Sequence, residues 1–243
     1  MWAAVSFLSR LPVPRRASGQ LADAVPWFPV VGALLGGLVA IADVGLQWLG
    51  FSSLVSSAGD VVLLLVLTGG LHADGLMDTS DAVFGHAGRE RRLEIMRDPH
   101  VGSFAVIAVV AVLLLKAAAV ASLPPGIRVA SLVAAPVLGR GAIVLVATLF
   151  PAARPTGLGA TVRAGASWRG LVLAAVAPAL TCAWLWPVGP IVLLAALVWA
   201  WLVGRWLTSL LGGLTGDCYG AVCEATETLV WLLVPPAARA LSA

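Results

Sequence analysis

The sequence predicts an all-α fold, a polytopic bundle of about seven membrane-spanning helices preceded by a short N-terminal interfacial helix. Of the 243 residues, 60% are hydrophobic and only 11% are charged, whereas a typical soluble domain carries about 25% charge. The mean hydropathy is +0.99. Apolar runs of about 20 residues, the length that crosses a bilayer, recur along the chain. We expect one integral membrane domain over residues 1–243.

The N-terminal segment, residues 1–16, does not resemble a cleaved signal peptide, because its apolar run is short and arginines follow it rather than precede it. We expect a short helix at the membrane surface, ended by Pro12 and Pro14. The cysteines form no CxxC pair and no cluster with histidine, so we interpret them as small apolar core residues. They are Cys182, Cys218 and Cys223.

Seven apolar segments are long enough to span a membrane. The third and fourth are joined by residues 123–126, and the fifth and sixth by residues 187–190. Both connections are too short for anything but a hairpin of antiparallel helices. The second and seventh segments are the weakest candidates. The predicted spans cover residues 26–49, 51–71, 101–122, 127–150, 169–186, 190–211 and 218–234.

The distribution of arginine orients this arrangement, because short cytoplasmic segments are richer in positive charge. With the N-terminus in the cytoplasm, ten arginines fall on the cytoplasmic side and two, Arg128 and Arg239, on the other. Residues 72–100 and 212–217 then also face the cytoplasm, and we expect a bacterial cell inner membrane. The ten are Arg10, Arg15, Arg16, Arg89, Arg91, Arg92, Arg97, Arg154, Arg163 and Arg169.

Residues 69–85, GGLHADGLMDTSDAVFG, carry a first acidic cluster. Asp74, Asp78 and Asp81 are spaced i, i+4 and i+7, so on a helix they lie within about 40° of one face. Carboxylates on one face repel each other, and an all-oxygen set suits a hard divalent cation. We predict a Mg²⁺ site here. The alternative is a solvated helix start whose acids interact with the helix dipole. His72 precedes the cluster at the expected membrane edge.

A charged segment follows, and six of the twelve acidic residues of the chain fall within residues 74–98. We predict a helix from Arg89 to Arg97 that ends at Asp98, because the residue before a proline disfavours helix. Its arginines suit phosphate oxygens; the alternative is a solvated face with local ion pairs. Acids beside arginines are typical of metal-assisted phosphoryl transfer. The predicted phosphate-binding residues of this segment are Arg89, Arg92 and Arg97.

Residues 212–227, GGLTGDCYGAVCEATE, carry a second acidic cluster. Asp217, Glu224 and Glu227 are spaced i, i+7 and i+10, roughly one face of an otherwise apolar helix. A carboxylate inside a span costs about 2.5–3.5 kcal/mol on the insertion scale, so we expect these side chains to face a polar cavity and to serve function. Asp217 alone has the alternative role of a helix N-cap.

Lys116 lies well inside the third predicted span and Arg140 well inside the fourth. We predict that they bind an anion within the bundle or pair with the buried acids. The alternative is that each side chain extends to the membrane interface. For Asp43 and Arg205, which lie nearer to span ends, extension to the interface is the main expectation.

These segments resemble the cobalamin synthase family, the adenosylcobinamide-GDP ribazoletransferases. The likeness covers nearly the whole chain, and its most specific parts are GGxHxDGxxDxxD and EIMRDPxxG. One departure is that Thr208 and Ser209 stand where the family often has basic residues; Arg205 lies about one turn earlier. The matching segments are residues 7–16, 27–37, 69–85, 89–102, Lys116, 139–141 and 211–227.

The resemblance implies the last assembly step of the cobalamin nucleotide loop. A hydroxyl of α-ribazole, or of its 5′-phosphate, attacks the phosphate linked to cobinamide in adenosylcobinamide-GDP, and GMP leaves. Mg²⁺ is the implied cofactor. We further expect lipid surroundings, no nucleic-acid partner, and leave a homo-oligomer open. The expected catalytic residues are Asp74, Asp217 and Glu224; the metal ligands are Asp74, Asp78 and Asp81; Arg89, Arg92, Arg97, Lys116 and Arg140 bind phosphate; and His72, Asp98 and Glu227 lie nearby.

Two other functions share some of these features. CDP-alcohol phosphotransferases also use spaced aspartates on membrane helices, but their DGxxAR pattern is absent here, since Asp78 follows Leu76-Met77. An ion-coupled transporter would use Asp74, Glu224 and Glu227 as a cation relay. The acidic stripe beside an arginine cluster and the lack of an inverted repeat argue against that function.

Overall fold

The computed structural model describes residues 1–14, 19–85 and 88–242, so Arg15 and Arg16, which contributed to the predicted orientation, lie outside the described residues. Within these ranges the structure is all-helical, as predicted, apart from one isolated bridge between Ala152 and Leu214. The α-helices are α1 (Trp2–Leu8), α2 (Leu21–Ala24), α3 (Phe28–Trp48), α4 (Ser53–Thr68), α5 (Leu71–Phe84), α6 (Arg89–Ile95), α7 (Ser103–Ala121), α8 (Arg128–Leu149), α9 (Leu158–Gly165), α10 (Trp168–Ala174), α11 (Val176–Trp184), α12 (Gly189–Leu211) and α13 (Gly216–Ser242).

Helix α8 forms the centre of the bundle, with α3 and α13 packed along it. The most apolar part of the segment Pro125–Leu149 is 83% buried, whereas the corresponding parts of α7 and α12 are 22% and 28% buried. A helix that is apolar on all sides and buried belongs to the interior. The exposed faces of α7 and α12 carry large apolar side chains such as Ile107 and Leu194, which suits contact with lipid.

Glycines allow α3 and α8 to approach closely. Gly32 and Gly36, one turn apart, face the backbone of α8, and a Cβ on Gly32 would lie 2.3 Å from the carbonyl oxygen of Pro136. A Cβ on Gly36 would lie 2.8 Å from the carbonyl oxygen of Leu132. In a regular helix the carbonyl oxygen of Leu132 would accept a hydrogen bond from the N–H of residue 136, but Pro136 has no N–H. Small residues four apart are the usual means by which membrane helices reach such distances.

The predicted count of seven spans is not confirmed. Among the described residues, four helical segments are long and apolar enough to cross a membrane, and the number rises to six if each of two bent pairs is one span. The second predicted span ends at Thr68, where the chain turns by 91° into α5. The fifth is divided into α10 and α11, and α9 meets this pair at 87°. The segments that qualify singly are Leu21–Trp48, Ser103–Ala121, Pro125–Leu149 and Gly189–Leu211.

The chain ends differ from expectation in one respect. Helix α1 is present, stops before Pro12 as predicted, and buries Ala4, Val5 and Leu8 against the bundle. Helix α13 was expected to end at residue 234, before two prolines, but it continues through Pro235 and Pro236 to Ser242. Both prolines lie in the last third of α13. Because proline has no N–H, each removes one hydrogen bond of the helix, and only a short stretch of helix follows them.

One end of the bundle gathers both acidic segments. Contacts join the start of α6 to the end of α12, the last turn of α5 to the start of α7, and the loop after α8 to the residues before α13. The N-terminal segment also reaches this end, because the amide of Arg10 donates to the carbonyl of Leu67, 2.7 Å away, near the end of α4. We call this the acidic end.

A matched pair of substitutions on α3 tests the close packing. We expect Gly32→Ala to lower the free energy of unfolding by about 1–3 kcal/mol, because its methyl group would displace the backbone of α8. Gly37→Ala has no neighbour within 4 Å and is expected to be neutral or slightly stabilising, since alanine favours helix over glycine by about 1 kcal/mol. Thermal unfolding in detergent measures both; equal stabilities would show that the α3–α8 contact is not tight.

Candidate active site

Glycines also bring the two acidic segments together. Gly75 of α5 lies against the backbone of Asp217 at the start of α13, where an added Cβ would be 2.7 Å from the Asp217 carbonyl oxygen. Gly220 of α13 faces the backbone of α5, where an added Cβ would be 3.0 Å from the carbonyl oxygen of His72. The two helices therefore cross with little more than backbone between them, and the acids that flank the glycines become neighbours.

Three aspartates share this crossing without cations of their own. Asp74 is exposed, Asp78 and Asp217 are half-buried, and Asp74 and Asp217 are near enough to Asp78 for their charges to act on it. None of the three forms an ion pair with any residue that the structure describes. Unpaired carboxylates this close repel one another, which favours a bound cation.

Asp81 has a structural contact that its spacing did not indicate. Its two carboxylate oxygens accept hydrogen bonds from the amides of Gly102 (2.7 Å) and Ala105 (2.8 Å), in the first turn of α7. Gly102 occupies the N-cap position and has no side chain to satisfy these amides. A Cβ there would lie 2.6 Å from Asp81, so the glycine leaves the space that the carboxylate fills.

The described part of the chain contains no group of three or more His, Cys, Asp or Glu residues arranged to hold a metal ion. The predicted set of Asp74, Asp78 and Asp81 is therefore not a ready-made cage, and its role in metal binding stays a prediction. Magnesium ordinarily keeps several waters and is held by one or two carboxylates together with substrate phosphates. The unpaired aspartates suit that kind of site.

Asp217 does not act as the N-cap of α13. The hydroxyl of Thr215 takes that role, accepting from the amide of Cys218 at 3.3 Å, and it lies 3.3 Å from Asp217 as a donor. Asp217 instead stands in the first turn of the helix, where a negative charge is favoured by the exposed N–H groups. Its carboxylate is thus oriented by Thr215 and otherwise left available.

Arginines surround this crossing, but they differ in what they contact. Arg89 donates from Nε to the carbonyl of Leu211 at 2.9 Å and so holds the turn before α13. Gly212 adopts φ +74° in that turn, and its missing side chain makes room for the Arg89 guanidinium. Arg92 has a buried Nε without a hydrogen-bond partner among the described residues. That donor is unused within the described part of the chain.

Arg154 is a site residue that we did not select from the sequence. It lies in the loop between α8 and α9, where it donates to the carbonyl of Leu93 and lines a cavity of about 200 Å³ together with Asp217. Burial and the charge of Arg97 lower the pKa of Arg154, and the carboxylate of Asp217 opposes the shift. Two guanidinium groups that repel each other beside a carboxylate are suited to a polyanionic ligand.

A short parallel bridge aligns that loop with the turn before α13. The amide of Leu214 donates to the carbonyl of Pro151 (2.8 Å), and the amide of Ala153 donates to the carbonyl of Leu214 (2.9 Å). A signal was present in the sequence, since Arg154 is a lone charge in the Pro- and Gly-rich run FPAARPTGLG. The sequence of this run did not show that it would form a bridge with the turn before α13.

Asp98 lies apart from the aspartates. It is in the turn after α6, and its carboxylate accepts from the amide of His100 at 3.0 Å and faces the His100 ring nitrogen Nδ1 at 2.5 Å. These hydrogen bonds hold the pKa of Asp98 below its usual range. The structure gives it a local role in the turn between α6 and α7. Helix α6 itself ends at Ile95, two residues before the predicted end at Arg97.

Lys116 and Arg140 follow one of the two alternatives drawn from the sequence, since both pair with buried acids. The Nζ atom of Lys116 lies 2.6 Å from both Glu224 and Glu227, and Arg140 donates to the other oxygen of Glu227. All four side chains are buried, none more than 8% exposed. Gly139 makes room for Glu227, whose Cγ would lie 2.8 Å from an added Cβ. We call these four residues the buried charge network.

The buried charge network has two positive and two negative groups, so its charges cancel without a ligand. Glu224 lies about 10 Å further along α13 than Asp217 at 1.5 Å per residue. Lys116, Arg140 and Glu224 therefore all have partners within the network. Phosphate binding by the two cations and catalysis by Glu224 stay predictions. One contact leads outward: Arg140 Nη2 lies 3.3 Å from Nδ1 of His72, which is buried rather than at the membrane edge.

Asp43 corrects a second expectation. It does not extend to the interface but is 1% exposed and binds Arg128 through both oxygens, at 2.8 and 2.7 Å. Arg128 also lies 3.3 Å from Asp60. The sequence did contain a signal for this ion pair. Asp43 and Asp60 lie in the first two predicted spans, and Arg128 lies at the start of the fourth. Arg205 remains exposed and stacks over Trp201 at 5.8 Å, in keeping with extension to the interface.

Comparison with known proteins identifies the family of this chain. The family described as cobalamin-5-phosphate synthase matches residues 1–235. The chain belongs to the cobalamin-5-phosphate synthase family. A relative from Desulforamulus reducens is 38% identical over 95% of this chain and 94% of its own length. One from Roseiflexus sp. is 41% identical over 93% of this chain and 85% of its own length. Both relatives are named adenosylcobinamide-GDP ribazoletransferase.

A third member of the cobalamin-5-phosphate synthase family with the same name, from Synechococcus elongatus, is 39% identical over 95% of this chain. No solved structure matches the chain. Membership of this transferase family agrees with the resemblance found in the sequence. It argues against both the CDP-alcohol phosphotransferase and the ion-coupled transporter.

Charge balance in the buried network gives a testable expectation. Lys116→Met leaves a buried excess negative charge and should lower the free energy of unfolding by about 3–5 kcal/mol. Lys116→Met combined with Glu224→Leu restores the balance, because Arg140 and Glu227 still pair, and should recover most of that loss. Thermal unfolding in detergent compares the three proteins.

The same double variant also tests the catalytic role expected for Glu224. A structural role predicts that the double variant keeps its enzymatic activity, whereas a role in chemistry predicts a folded but inactive protein. If the double variant is no more stable than Lys116→Met, charge balance does not govern this network.

Proposed function

We propose that this protein transfers the adenosylcobinamide-phosphate group of adenosylcobinamide-GDP to α-ribazole or its 5′-phosphate and releases GMP. The product is adenosylcobalamin or its 5′-phosphate, the last assembly step of the cobalamin nucleotide loop. Three named relatives at 38–41% identity over more than nine-tenths of the chain support this reaction. The observation that carries it in this chain is the crossing of unpaired aspartates, with arginines around it.

The reaction requires a nucleophile, a charged phosphorus centre and a leaving group in one place. The acceptor hydroxyl oxygen forms a bond to the phosphorus that carries cobinamide, and the bond from that phosphorus to the bridging oxygen breaks. GMP leaves with that oxygen and its negative charge. The hydroxyl proton is lost as the new bond forms, and we assign its acceptance to Asp217. This residue lines the cavity of Arg154 and also a second, mainly apolar cavity that Asp74 and His72 line.

The aspartates of the crossing are the proposed Mg²⁺ ligands. Asp74, Asp78 and Asp217 offer oxygen atoms that no lysine or arginine of the described chain occupies. We propose Asp217 in place of Asp81, since both oxygens of Asp81 already accept amides of α7. A bound Mg²⁺ would neutralise charge on the phosphate oxygens and on departing GMP.

The proposed diphosphate site lies beside the aspartates in the cavity that Arg154 lines. Arg97 and Arg154 supply two guanidinium groups, and Arg92 has an unused buried donor. Arginine donates in a planar fork that matches phosphate oxygens. Arg89 contributes by holding the turn before α13, rather than by contact with phosphate.

We further propose that the acidic end faces the cytoplasm of a bacterial inner membrane. Arginines concentrate at this end, whereas Arg128 and Arg239 lie towards the other, as the positive-inside rule expects. Nucleotide substrates are cytoplasmic compounds, so this orientation also gives them access. Lipid contacts and a homo-oligomer stay predictions.

Release of GMP tests the function and Asp74→Asn tests the site. Purified protein with adenosylcobinamide-GDP, α-ribazole and Mg²⁺ should release GMP, measured by chromatography.

Asp74 is exposed and forms no ion pair within the described chain, so Asp74→Asn should fold normally while its rate falls by about two orders of magnitude. Asp23→Asn, also exposed and outside both cavities, is the matched control and should keep the wild-type rate.

Two outcomes would contradict this proposal. A folded wild-type protein that releases no GMP under these conditions is not the proposed transferase. A wild-type rate for Asp74→Asn at every Mg²⁺ concentration would remove Asp74 from the metal site and leave the reaction itself standing.

Labelling of single cysteines tests the orientation. Glu90 is exposed at the acidic end and Ser122 is exposed at the opposite end of α7, while the native cysteines are buried and can be replaced by alanine. In spheroplasts, a maleimide that does not cross membranes should label Ser122→Cys and should label Glu90→Cys only after permeabilisation. The reverse pattern would place the acidic end outside the cell.

A further inference from the structure

An open depression lies on the surface of the acidic end, between the loop after α8 and helix α9. Its volume is about 500 Å³, and small-molecule sites usually measure about 300–1,000 Å³. Among the described residues that line it, Arg154 and Arg163 are the only charged ones, and the others are one proline and four alanines. Pro155 and Ala164 are exposed, so the depression is accessible from solvent.

Glycines hold α9 in place on the side away from the depression. Gly159 lies on the turn before α13, where an added Cβ would be 2.9 Å from the amide nitrogen of Gly216. Gly165 packs in the same way on the backbone of α2. Ala160, Arg163 and Ala164 are spaced i, i+3 and i+4, so they share the opposite face of the helix. The floor of the depression is therefore fixed relative to the start of α13.

The depression continues the polar cavity proposed to hold the diphosphate. Arg154 and Ala160 line both spaces. Asp217 lines the polar cavity but not the depression, and Arg163 lines the depression but not the polar cavity. The three residues thus follow one another in the order Asp217, Arg154, Arg163.

The donor substrate has a matching order of groups. The phosphorus under attack comes first, then the phosphate of GMP, then guanosine. The attacking and leaving oxygens lie roughly in line with the phosphorus, so GMP departs on the side away from the nucleophile. With Asp217 at the nucleophile, that side is the depression. Cobinamide is attached at the other end of the diphosphate and belongs near Asp217.

Arg163 has the chemistry to recognise a purine. It is half-buried and forms no ion pair with any residue that the structure describes. An arginine fork donates to two adjacent acceptors, and guanine presents such a pair in O6 and N7. Guanidinium planes also stack on nucleobases. The alanines and the proline offer apolar contact to the flat base, and no acid among the described lining residues repels the phosphate of GMP.

We propose that this depression binds the guanosine of the donor substrate and of the departing GMP, with Arg163 as the residue that recognises the base. The inference rests on the proposed function and names the leaving-group subsite within it. The subsite opens to solvent, so GMP leaves without crossing the aspartates.

Two substitutions of Arg163 test the contact with the base. Wild-type protein in detergent should bind GMP about tenfold more tightly than AMP, measured by calorimetry, because one bidentate contact to a base discriminates by about that factor. Arg163→Met should lose this preference. Arg163→Lys keeps the charge but not the planar fork, so it should lose the preference as well. In both variants the KM for adenosylcobinamide-GDP should rise about tenfold, with the KM for α-ribazole changed less than twofold.

A second variant and a control accompany them. Ala164→Glu places a carboxylate in the depression at an exposed position and should weaken GMP binding by repelling its phosphate. Arg169→Met is the matched control, because Arg169 is also an exposed arginine near this end but lines neither the depression nor the polar cavity. It should keep wild-type affinity for GMP.

The outcomes separate this subsite from the proposed function. If Arg163→Met and Ala164→Glu keep wild-type affinity for GMP while the wild type releases GMP from its substrate, the subsite lies elsewhere and the function stands. Wild-type affinity for GMP in Arg163→Lys would show that only charge is needed, which overturns recognition of the base. An increase confined to the KM for α-ribazole 5′-phosphate would assign the depression to the acceptor instead. A wild type that binds GMP through Arg163 but never releases it from adenosylcobinamide-GDP keeps the subsite and overturns the function.

Discussion

The need to neutralise charge inside an apolar bundle governs the rest of this structure. A charged group removed from water is stable only when it is paired and hydrogen-bonded. The interior obeys this rule at two places, around Arg128 and in the buried charge network, where cations and carboxylates lie within hydrogen-bonding distance. The aspartates of the α5–α13 crossing do not obey it. Their carboxylates have no cationic partner among the described residues, which distinguishes them from the paired acids of the interior.

Backbone approach decides where those aspartates meet. Asp78 and Asp217 are more than 130 positions apart in the sequence, and they become neighbours because Gly75 and Gly220 let α5 and α13 cross with almost no side chain between them. The same device joins α3 to α8 through Gly32 and Gly36. In a lipid environment, where apolar side chains gain little by leaving the solvent, close packing of this kind is a main source of helix association.

Periodicity and hydropathy predicted the elements better than their contacts. The bounds of α7, α8 and α12 differ from the predicted spans by one or two residues, because long apolar helices are set by local pattern. The two acidic segments were also identified correctly as belonging to one end. Spacing placed Asp81 on the same face as Asp74, but its partner is the start of α7, a tertiary contact that helical periodicity does not encode. Arg154 was missed for the same reason.

Stability alone does not account for the buried charge network, since well-packed apolar residues often replace such groups without loss. Its contact with His72 supplies a further reason. Glu227 holds Arg140, and Arg140 in turn leaves only Nε2 of His72 to carry the ring proton. The ring is thereby fixed in one tautomer. His72 lies on α5 two residues before Asp74, and it lines a cavity together with Asp74 and Asp217. The network and the aspartate crossing are therefore joined through one imidazole, so the interior charges orient a side chain of the crossing helix as well as cancelling one another.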